Sequence, residues 1–268
     1  MTTLPDTESV SQSPYFDTLP PEFAKAAANF VAQNRAYYGA RLVAIYAFGS
    51  AARGETVAGS DLDALVIAHG GFTRADVLWE TKRYHSQVGS VEIGLTRATS
   101  PARVENALGL VDGIHPELFL ASTLFFDSLL LWGDDMCARF STPRPDVNWA
   151  RVLIRSPRSW LETFVSNPDD APEYVPKEAS RLQRKLARWA LYGTACWLMA
   201  QNRFRSFRGN DVLPALGEMN GALPPDEHRA FVEQTSRTYN MLAPTTTQEA
   251  HLYARLALRW IEGVAASF

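Results

Sequence analysis

Cysteine is scarce in this chain, which has only Cys137 and Cys196 among its 268 residues. The two lie far apart among apolar neighbours, so we expect buried free thiols in a reducing compartment. The five histidines show no spacing with cysteine that is typical of a zinc site. The sequence therefore argues against a disulfide-stabilised secreted domain and against a structural zinc domain.

Long hydrophobic runs are also absent. No uninterrupted apolar stretch approaches the roughly 18–20 residues that span a bilayer. The first fourteen residues are polar and mildly acidic, and they lack the basic and apolar regions of a signal peptide. We therefore expect a cytoplasmic protein that has no membrane partner. The chain also lacks the glycine-lysine loop of P-loop NTPases and the full ligand pattern of a calcium-binding EF-hand.

The hydrophobic pattern changes in character along the chain. The first half alternates apolar strand-like runs with helical patterns, whereas the second half shows only helical periodicity. We predict an α/β (α+β) unit with a small mixed sheet over 21–142, preceded by a loose arm over 1–20 and followed by an all-α helical bundle over 143–268. The predicted strands are 42–50, 61–68 and 90–96. One predicted helix starts at Pro21, and the others cover 73–87, 101–110, 116–132, 177–201 and 248–264.

Two carboxylates stand two residues apart at the start of the second predicted strand, in the sequence Asp61-Leu62-Asp63. Alternate residues of a strand share one face, so Asp61 and Asp63 should point the same way while Leu62 points into the core. Their Cα atoms would be about 6.5–7 Å apart. This spacing suits carboxylates that share one cation or flank two. On its own, the same pair is also compatible with ordinary turn chemistry.

A glycine-serine pair ends the first predicted strand. Gly49 lets the backbone approach a phosphate, Ser50 adds a hydroxyl donor, and a following helix would add unpaired amides. Glu92 lies between two β-branched residues on the third predicted strand, where it could join the acidic cluster and accept a proton. Other candidates for this third carboxylate are Glu105, Asp112 and Glu117.

Together, residues 42–68 resemble the signature of the DNA polymerase β-like nucleotidyltransferase superfamily. That signature is a hydrophobic strand, Gly-Ser, a spacer of about ten residues, Asp-x-Asp and a later acidic residue on a strand. The helical second half is similar to that of aminoglycoside nucleotidyltransferases of the streptomycin and spectinomycin type. The resemblance implies that Asp61, Asp63 and Glu92 bind two Mg²⁺ ions. The same three residues would be the catalytic residues. It implies ATP as co-substrate, with Gly49, Ser50, Arg53 and Ser60 as nucleotide contacts.

A basic helical face is predicted in the second half, where Arg181, Arg184, Lys185 and Arg188 follow each other at helical spacing. This face could be an ordinary solvated surface that covers apolar residues with long side chains. Alternatively, Arg184 and Arg188 contact the nucleotide. Farther along, Arg203, Arg205 and Arg208 alternate with Phe204 and Phe207.

The resemblance implies transfer of AMP from ATP to a hydroxyl of a small molecule such as an aminoglycoside, with release of pyrophosphate; a role in antibiotic resistance is one implication. An alternative is an antitoxin-type enzyme that transfers AMP to a partner protein, although members of that group are much shorter. An RNA-directed transferase would need a continuous basic track with exposed aromatics. Residues 203–208 are a fragment of such a track, but the sequence pI of about 6.0 counts against a nucleic acid partner. A non-catalytic relative would be expected to lack the carboxylates.

Overall fold

The structure is a computed structural model that describes residues 18–57, 59–70, 73–83, 86–109, 118–166, 179–219, 222–239 and 246–268. The chain divides into two compact units, Met1–Pro143 and Arg144–Phe268. Nearly all of the predicted arm over 1–20 lies outside the described residues. In the described parts of the chain, none of the helices combines the length and apolar character needed to cross a membrane.

The first unit is built on a five-stranded sheet in the order β3-β4-β2-β1-β5. Strands β2 and β4 run parallel, and the other neighbouring pairs are antiparallel. The elements of this unit are α1 (Pro21–Tyr38), β1 (Leu42–Phe48), α2 (Ser50–Arg53), β2 (Asp61–Ala68), α3 (Arg74–Arg83), β3 (Gln87–Val88), β4 (Val91–Thr99), α4 (Pro101–Gly109), α5 (Leu118–Phe126) and β5 (Ser128–Gly133).

The apolar stripe of α1 forms the core of the first unit together with the sheet. Phe23 and Phe30 of this helix are buried in one cluster with Leu62 of β2 and Ile93 of β4. Leu62 is fully buried, as its position between two aspartates predicted. The packing of this residue fixes which face of β2 points to the core and which face carries Asp61 and Asp63.

The prediction of one helix over 116–132 is wrong in its second half. Helix α5 ends at Phe126, and residues Ser128–Gly133 form strand β5, which pairs with β1. A continuous apolar run has no period that separates a buried helix from a strand. Here the free edge of β1 decides the outcome, because pairing satisfies the backbone amides and carbonyls of both strands.

The second unit has no strand among its described residues, as the sequence predicted. Its aromatic core joins two helices, α10 and α11, through Phe231, Tyr253 and Trp260, which are all fully buried. The elements are α6 (Val147–Leu153), α7 (Arg155–Ser166), α8 (Ala179–Ala200), α9 (Gly209–Leu216), α10 (Pro225–Tyr239) and α11 (Thr247–Ala266). The sequence predicted only α8 and α11, which have the longest periodic patterns.

Gly133 ends β5 with a φ of +88°, and a Cβ there would lie within 3.0 Å of the Val43 carbonyl oxygen. We expect Gly133→Ala to lower the free energy of unfolding by about 3 kcal/mol, because backbone strain and a backbone clash add together. Gly39 is the matched control, since its φ is +55° but its surroundings are open. Gly39→Ala should cost about 1 kcal/mol. Equal losses in urea unfolding of the two variants would contradict the proposed clash.

Candidate functional site

Asp61 and Asp63 are the first and third residues of β2. Both are partly exposed, whereas Leu62 between them is buried. The strand therefore presents the two carboxylates on one face, as the alternation predicted. Neighbouring strands determine how close the carboxylates come to each other and to other groups.

Gly94 of β4 lies directly against this pair of carboxylates. A Cβ at this position would fall within 3.0 Å of an oxygen of Asp61 and of an oxygen of Asp63. The two oxygens are therefore at most about 6 Å apart, which is close enough to share one cation or flank two. The missing side chain of Gly94 leaves room for both carboxylates.

The sheet is irregular at the same point. Leu62 pairs with Ile93, but Ala64 pairs with Thr96, so two residues of β4 face the single residue Asp63. This is a β-bulge, a feature that changes the direction of side chains and is often found beside functional sites. Because Leu62 pairs with Ile93, the next residue of β4, Gly94, lies beside Asp63 at the point where the register changes.

Gly49 borders the carboxylates from the side of β1. Its φ of +74° and ψ of −147° favour glycine, and a Cβ here would lie 2.8 Å from Oδ2 of Asp63. The backbone at the end of β1 therefore approaches Asp63 closely. A helix follows the first strand, as predicted, but it begins at Ser50 itself and β1 ends at Phe48. This helix has only four residues and contributes one turn of backbone amides rather than a long helix dipole.

Glu92 is the residue of β4 that pairs with Asp61 across the parallel ladder. Paired strands lie about 4.8 Å apart, so the backbones of these two residues are adjacent. Glu92 is partly exposed. Of its rivals, Glu105 lies on α4, beyond the opposite end of β4, where it ion-pairs with Arg139 at 3.9 Å. Asp112 and Glu117 lie outside the described residues.

A divalent cation fits the chemistry of the aspartate pair. Within the described ranges, no three His, Cys, Asp or Glu side chains come close enough to form a metal site by themselves, and Glu92 is not grouped with the aspartates. Mg²⁺ does not require such a cage, because it commonly binds one or two carboxylates together with substrate phosphates and water. The two carboxylates of Asp61 and Asp63, beside Gly94, are enough for a site of this kind. The role of Glu92 stays a prediction.

Arg53 is buried between two carboxylates. Its Nε donates to Oε2 of Glu55 at 2.8 Å, and its Nη1 donates to Oδ1 of Asp127. Burial lowers the pKa of Arg53, but the charges of Asp127 and Glu55 outweigh this effect and raise it, so the guanidinium is charged. The predicted contact between Arg53 and the nucleotide is not tested by this arrangement.

Ser60 stabilises the turn that precedes β2. Its hydroxyl accepts a hydrogen bond from the Val57 amide at 2.9 Å, and its own amide donates to the Val57 carbonyl at 2.8 Å. These bonds direct the chain into Asp61. Whether Ser60 also contacts a nucleotide, as the resemblance implies, stays a prediction.

The predicted basic face lies on α8 in the second unit. Arg184 and Arg188 are partly buried and interact with other groups of the protein. The ammonium group of Lys185 lies 5.6 Å from the centre of the Trp160 ring. These positions agree with a face that covers apolar side chains, and the predicted contact of the two arginines with nucleotide is untested.

The aromatic residues of segment 203–208 are not an exposed platform. Phe207 is buried, with its ring stacked on Tyr192 at 4.8 Å and packed against Phe204 at 5.0 Å. Arg203 pairs with Glu218 at 2.7 Å. This segment therefore lacks the exposed rings on which the bases of single-stranded RNA would stack.

Sequence reasoning missed two residues of the site, Gly94 and Asp127. A lone glycine inside a strand pattern is a known signal for a bulge or a close backbone approach, so Gly94 could have been found. Asp127 gave no such signal, because its importance depends on the pairing of β5 with β1.

Comparison with known proteins gives a family match and a structural match. Residues 28–111 match the family model described as a nucleotidyltransferase domain. No curated protein matches the chain. Among solved structures, the chain is similar to the spectinomycin adenyltransferase AAD(9) from Enterococcus faecialis, crystallised with ATP and spectinomycin. That similarity has a TM-score of 0.56 and 16% identity, and it covers 88% of this chain and 98% of the other.

The family match includes Gly49, Asp61, Asp63, Glu92 and Gly94. It confirms the predicted nucleotidyltransferase domain within the first unit and, with it, the prediction of a transferase enzyme. The structural match confirms the fold, a small mixed sheet in an α/β unit followed by helices.

The space at Gly94 leads to a prediction about cation binding. Gly94→Ala should weaken Mn²⁺ binding at least about tenfold, because its methyl group displaces the Asp61 and Asp63 oxygens. Mn²⁺ is used as a paramagnetic substitute for Mg²⁺, and its affinity is measured by electron paramagnetic resonance. Gly89→Ala is the control, since Gly89 has a φ of +65° and open surroundings. Wild-type affinity in the Gly94 variant would show that the cation binds elsewhere.

Proposed function

We propose that this enzyme transfers AMP from ATP to a hydroxyl group of a small polar acceptor and releases pyrophosphate. The observation that carries the proposal is the close approach of the Asp61 and Asp63 carboxylates at Gly94, beside the glycine-serine turn at the end of β1. A pair of acidic side chains next to a turn suited to phosphate is the combination that nucleotidyl transfer requires.

The two aspartates have an electrostatic task. Mg²⁺ bound there would neutralise triphosphate charge and align the phosphates. Asp61 and Asp63 supply the negative oxygens that hold the cation, and the sheet keeps these oxygens in place before substrate arrives. Preorganisation of this kind removes the energetic cost of arranging the groups during the reaction.

The turn at Gly49 and Ser50 has a positioning task. The Gly49 backbone can approach a phosphate because no side chain intervenes, and the Ser50 hydroxyl can donate a hydrogen bond to a phosphate oxygen. Positioning the triphosphate here places its α-phosphorus near the carboxylates.

The chemical step is an exchange of one phosphorus–oxygen bond for another. The acceptor oxygen forms a bond to the α-phosphorus, and the bond between that phosphorus and the oxygen leading to the β-phosphate breaks. Glu92, next to Asp61 in the ladder, accepts the proton of the acceptor hydroxyl. Pyrophosphate leaves with the bonding electrons.

The acceptor is proposed from the structural match. The similar adenyltransferase was crystallised with ATP and spectinomycin, and its fold extends over most of this chain. We therefore place an aminoglycoside-like molecule, rich in hydroxyl and amino groups, first among acceptors. A cationic acceptor of this type needs carboxylates to bind it. Acidic residues that could serve this purpose in the second half of the chain, Asp169, Asp170, Glu173 and Glu178, lie outside the described residues. Neither comparison points to a protein acceptor.

The proposal is tested by pyrophosphate release from each of the four NTPs with Mg²⁺, across a panel of aminoglycosides including spectinomycin. We expect release with ATP and at least one acceptor, and a loss of about a hundredfold or more in Asp63→Asn. The fold should remain intact in this variant, since the substitution relieves repulsion between two carboxylates.

Asp134→Asn is the matched control for this experiment. Asp134 belongs to the same unit, is 66% exposed and pairs only loosely with Arg139 at 3.3 Å. This control should retain wild-type activity. A fully active Asp63→Asn variant would exclude the metal assignment, and ATP binding without release for any acceptor would exclude a small-molecule acceptor of this class.

Glu92 has a separate prediction because its task differs from that of the aspartates. Glu92→Gln should slow turnover about a hundredfold or more while changing the Kd for ATP less than about threefold, since an amide cannot accept the proton. Single-turnover kinetics and calorimetry measure the two quantities. Normal turnover in this variant would move the general base to another residue.

A further inference from the structure

A buried ion-pair cluster lies beside the glycine-serine turn, formed by Arg53, Glu55 and Asp127. We propose that Asp127 is a positioning residue that holds the Gly49–Ser50 turn in the conformation that binds nucleotide, with Arg53 as its counter-charge. The inference rests on the proposed function, because that function makes the turn a nucleotide-binding element. The contacts of Asp127 and Arg53 do not depend on that function.

The strand register brings Asp127 to this turn. Phe48, the last residue of β1, pairs with Ser128, the first residue of β5. Gly49 follows Phe48 and Asp127 precedes Ser128, so antiparallel pairing places Gly49 and Asp127 opposite each other. The Gly49 amide lies near enough to the Asp127 carboxyl to lower its pKa as a hydrogen-bond donor would. The same carboxyl accepts a hydrogen bond from the guanidinium of Arg53, so it faces both the turn and its counter-charge.

Arg53 supplies the charge that makes this arrangement stable. Burial raises the pKa of the Asp127 carboxyl, and the positive charge of Arg53 opposes that effect. An ionised carboxylate accepts stronger hydrogen bonds than a neutral group does. Arg53 also bonds to Glu55, and its side chain is only 8% exposed. Its Nε and Nη1 donate to carboxylates of the protein, which supports its role as the counter-charge beside the turn.

The turn transmits this support to the aspartate pair. Gly49 has a positive φ and approaches Asp63 so closely that a Cβ would lie 2.8 Å from its Oδ2. A change in the Gly49 backbone therefore alters both the turn that would bind phosphate and the space beside a carboxylate. Asp127 would therefore act on the nucleotide through Gly49.

The experiment compares Asp127→Asn with Glu55→Gln. Both substitutions neutralise one carboxylate on the same guanidinium, but only Asp127 also lies near the Gly49 amide. Hydrogen exchange of the Gly49 amide, followed by NMR, reports on the turn directly. Calorimetric titration with ATP and Mg²⁺ reports on nucleotide binding.

We expect faster exchange at Gly49 and an increase of about tenfold in the Kd for ATP in Asp127→Asn. In Glu55→Gln, exchange at Gly49 should be unchanged and the Kd should change less than about threefold. Loss of nucleotide affinity in Asp127→Asn alone is a result that general destabilisation by a removed carboxylate would not produce.

Unchanged exchange at Gly49 in Asp127→Asn, or equal effects in the two variants, would overturn the positioning role. If wild type binds no ATP while Gly49 responds as expected, the proposed function fails and the link from Asp127 to nucleotide fails with it. If Asp127→Asn does not fold, the triple variant Arg53→Leu, Glu55→Gln and Asp127→Leu removes all three charges of the cluster and leaves none buried without a partner. The same increase in Kd is expected there, and wild-type affinity would overturn the inference.

Discussion

Repulsion between two negative charges is the constraint on which the first unit depends. Asp61 and Asp63 carry their carboxylates on one face of β2, and their oxygens meet at Gly94. Like charges at this distance resist being held together. The sheet holds them through residues that point the other way, since Leu62 and Ile93 are locked into the core beneath. Burial of apolar side chains thus supplies the free energy that keeps an acidic pair in place.

Features set by local periodicity could be predicted from the sequence. The alternation of Asp61, Leu62 and Asp63 is enough to assign one residue to the core and two to the opposite face, and the structure agrees. The apolar stripe of α1 and the long helices α8 and α11 follow from the same reasoning at helical period. These predictions need only the geometry of a single element.

Features set by contacts between distant segments could not be predicted. Residues 128–133 are apolar and continuous, so only the edge of β1 determines that they form a strand. The role of Asp127 depends on that strand, and the contact of Gly94 with two carboxylates depends on the pairing of β2 with β4. The pairing of the buried Arg53 with Asp127 also depends on that strand, and the predicted contact of Arg53 with a nucleotide stays a prediction.

Strand β5 has a consequence for the independence of the catalytic domain. The family match ends at residue 111, but β1 is an inner strand only because β5 covers its second edge. A protein that ended at the limit of the match would expose an unpaired row of amides and carbonyls along Ile45, Tyr46 and Ala47, which are all buried here. Such an edge is a template for association with other chains. The smallest segment able to remain monomeric therefore extends at least to Gly133, and any evolutionary exchange of the helical unit would have to leave β5 with the catalytic half.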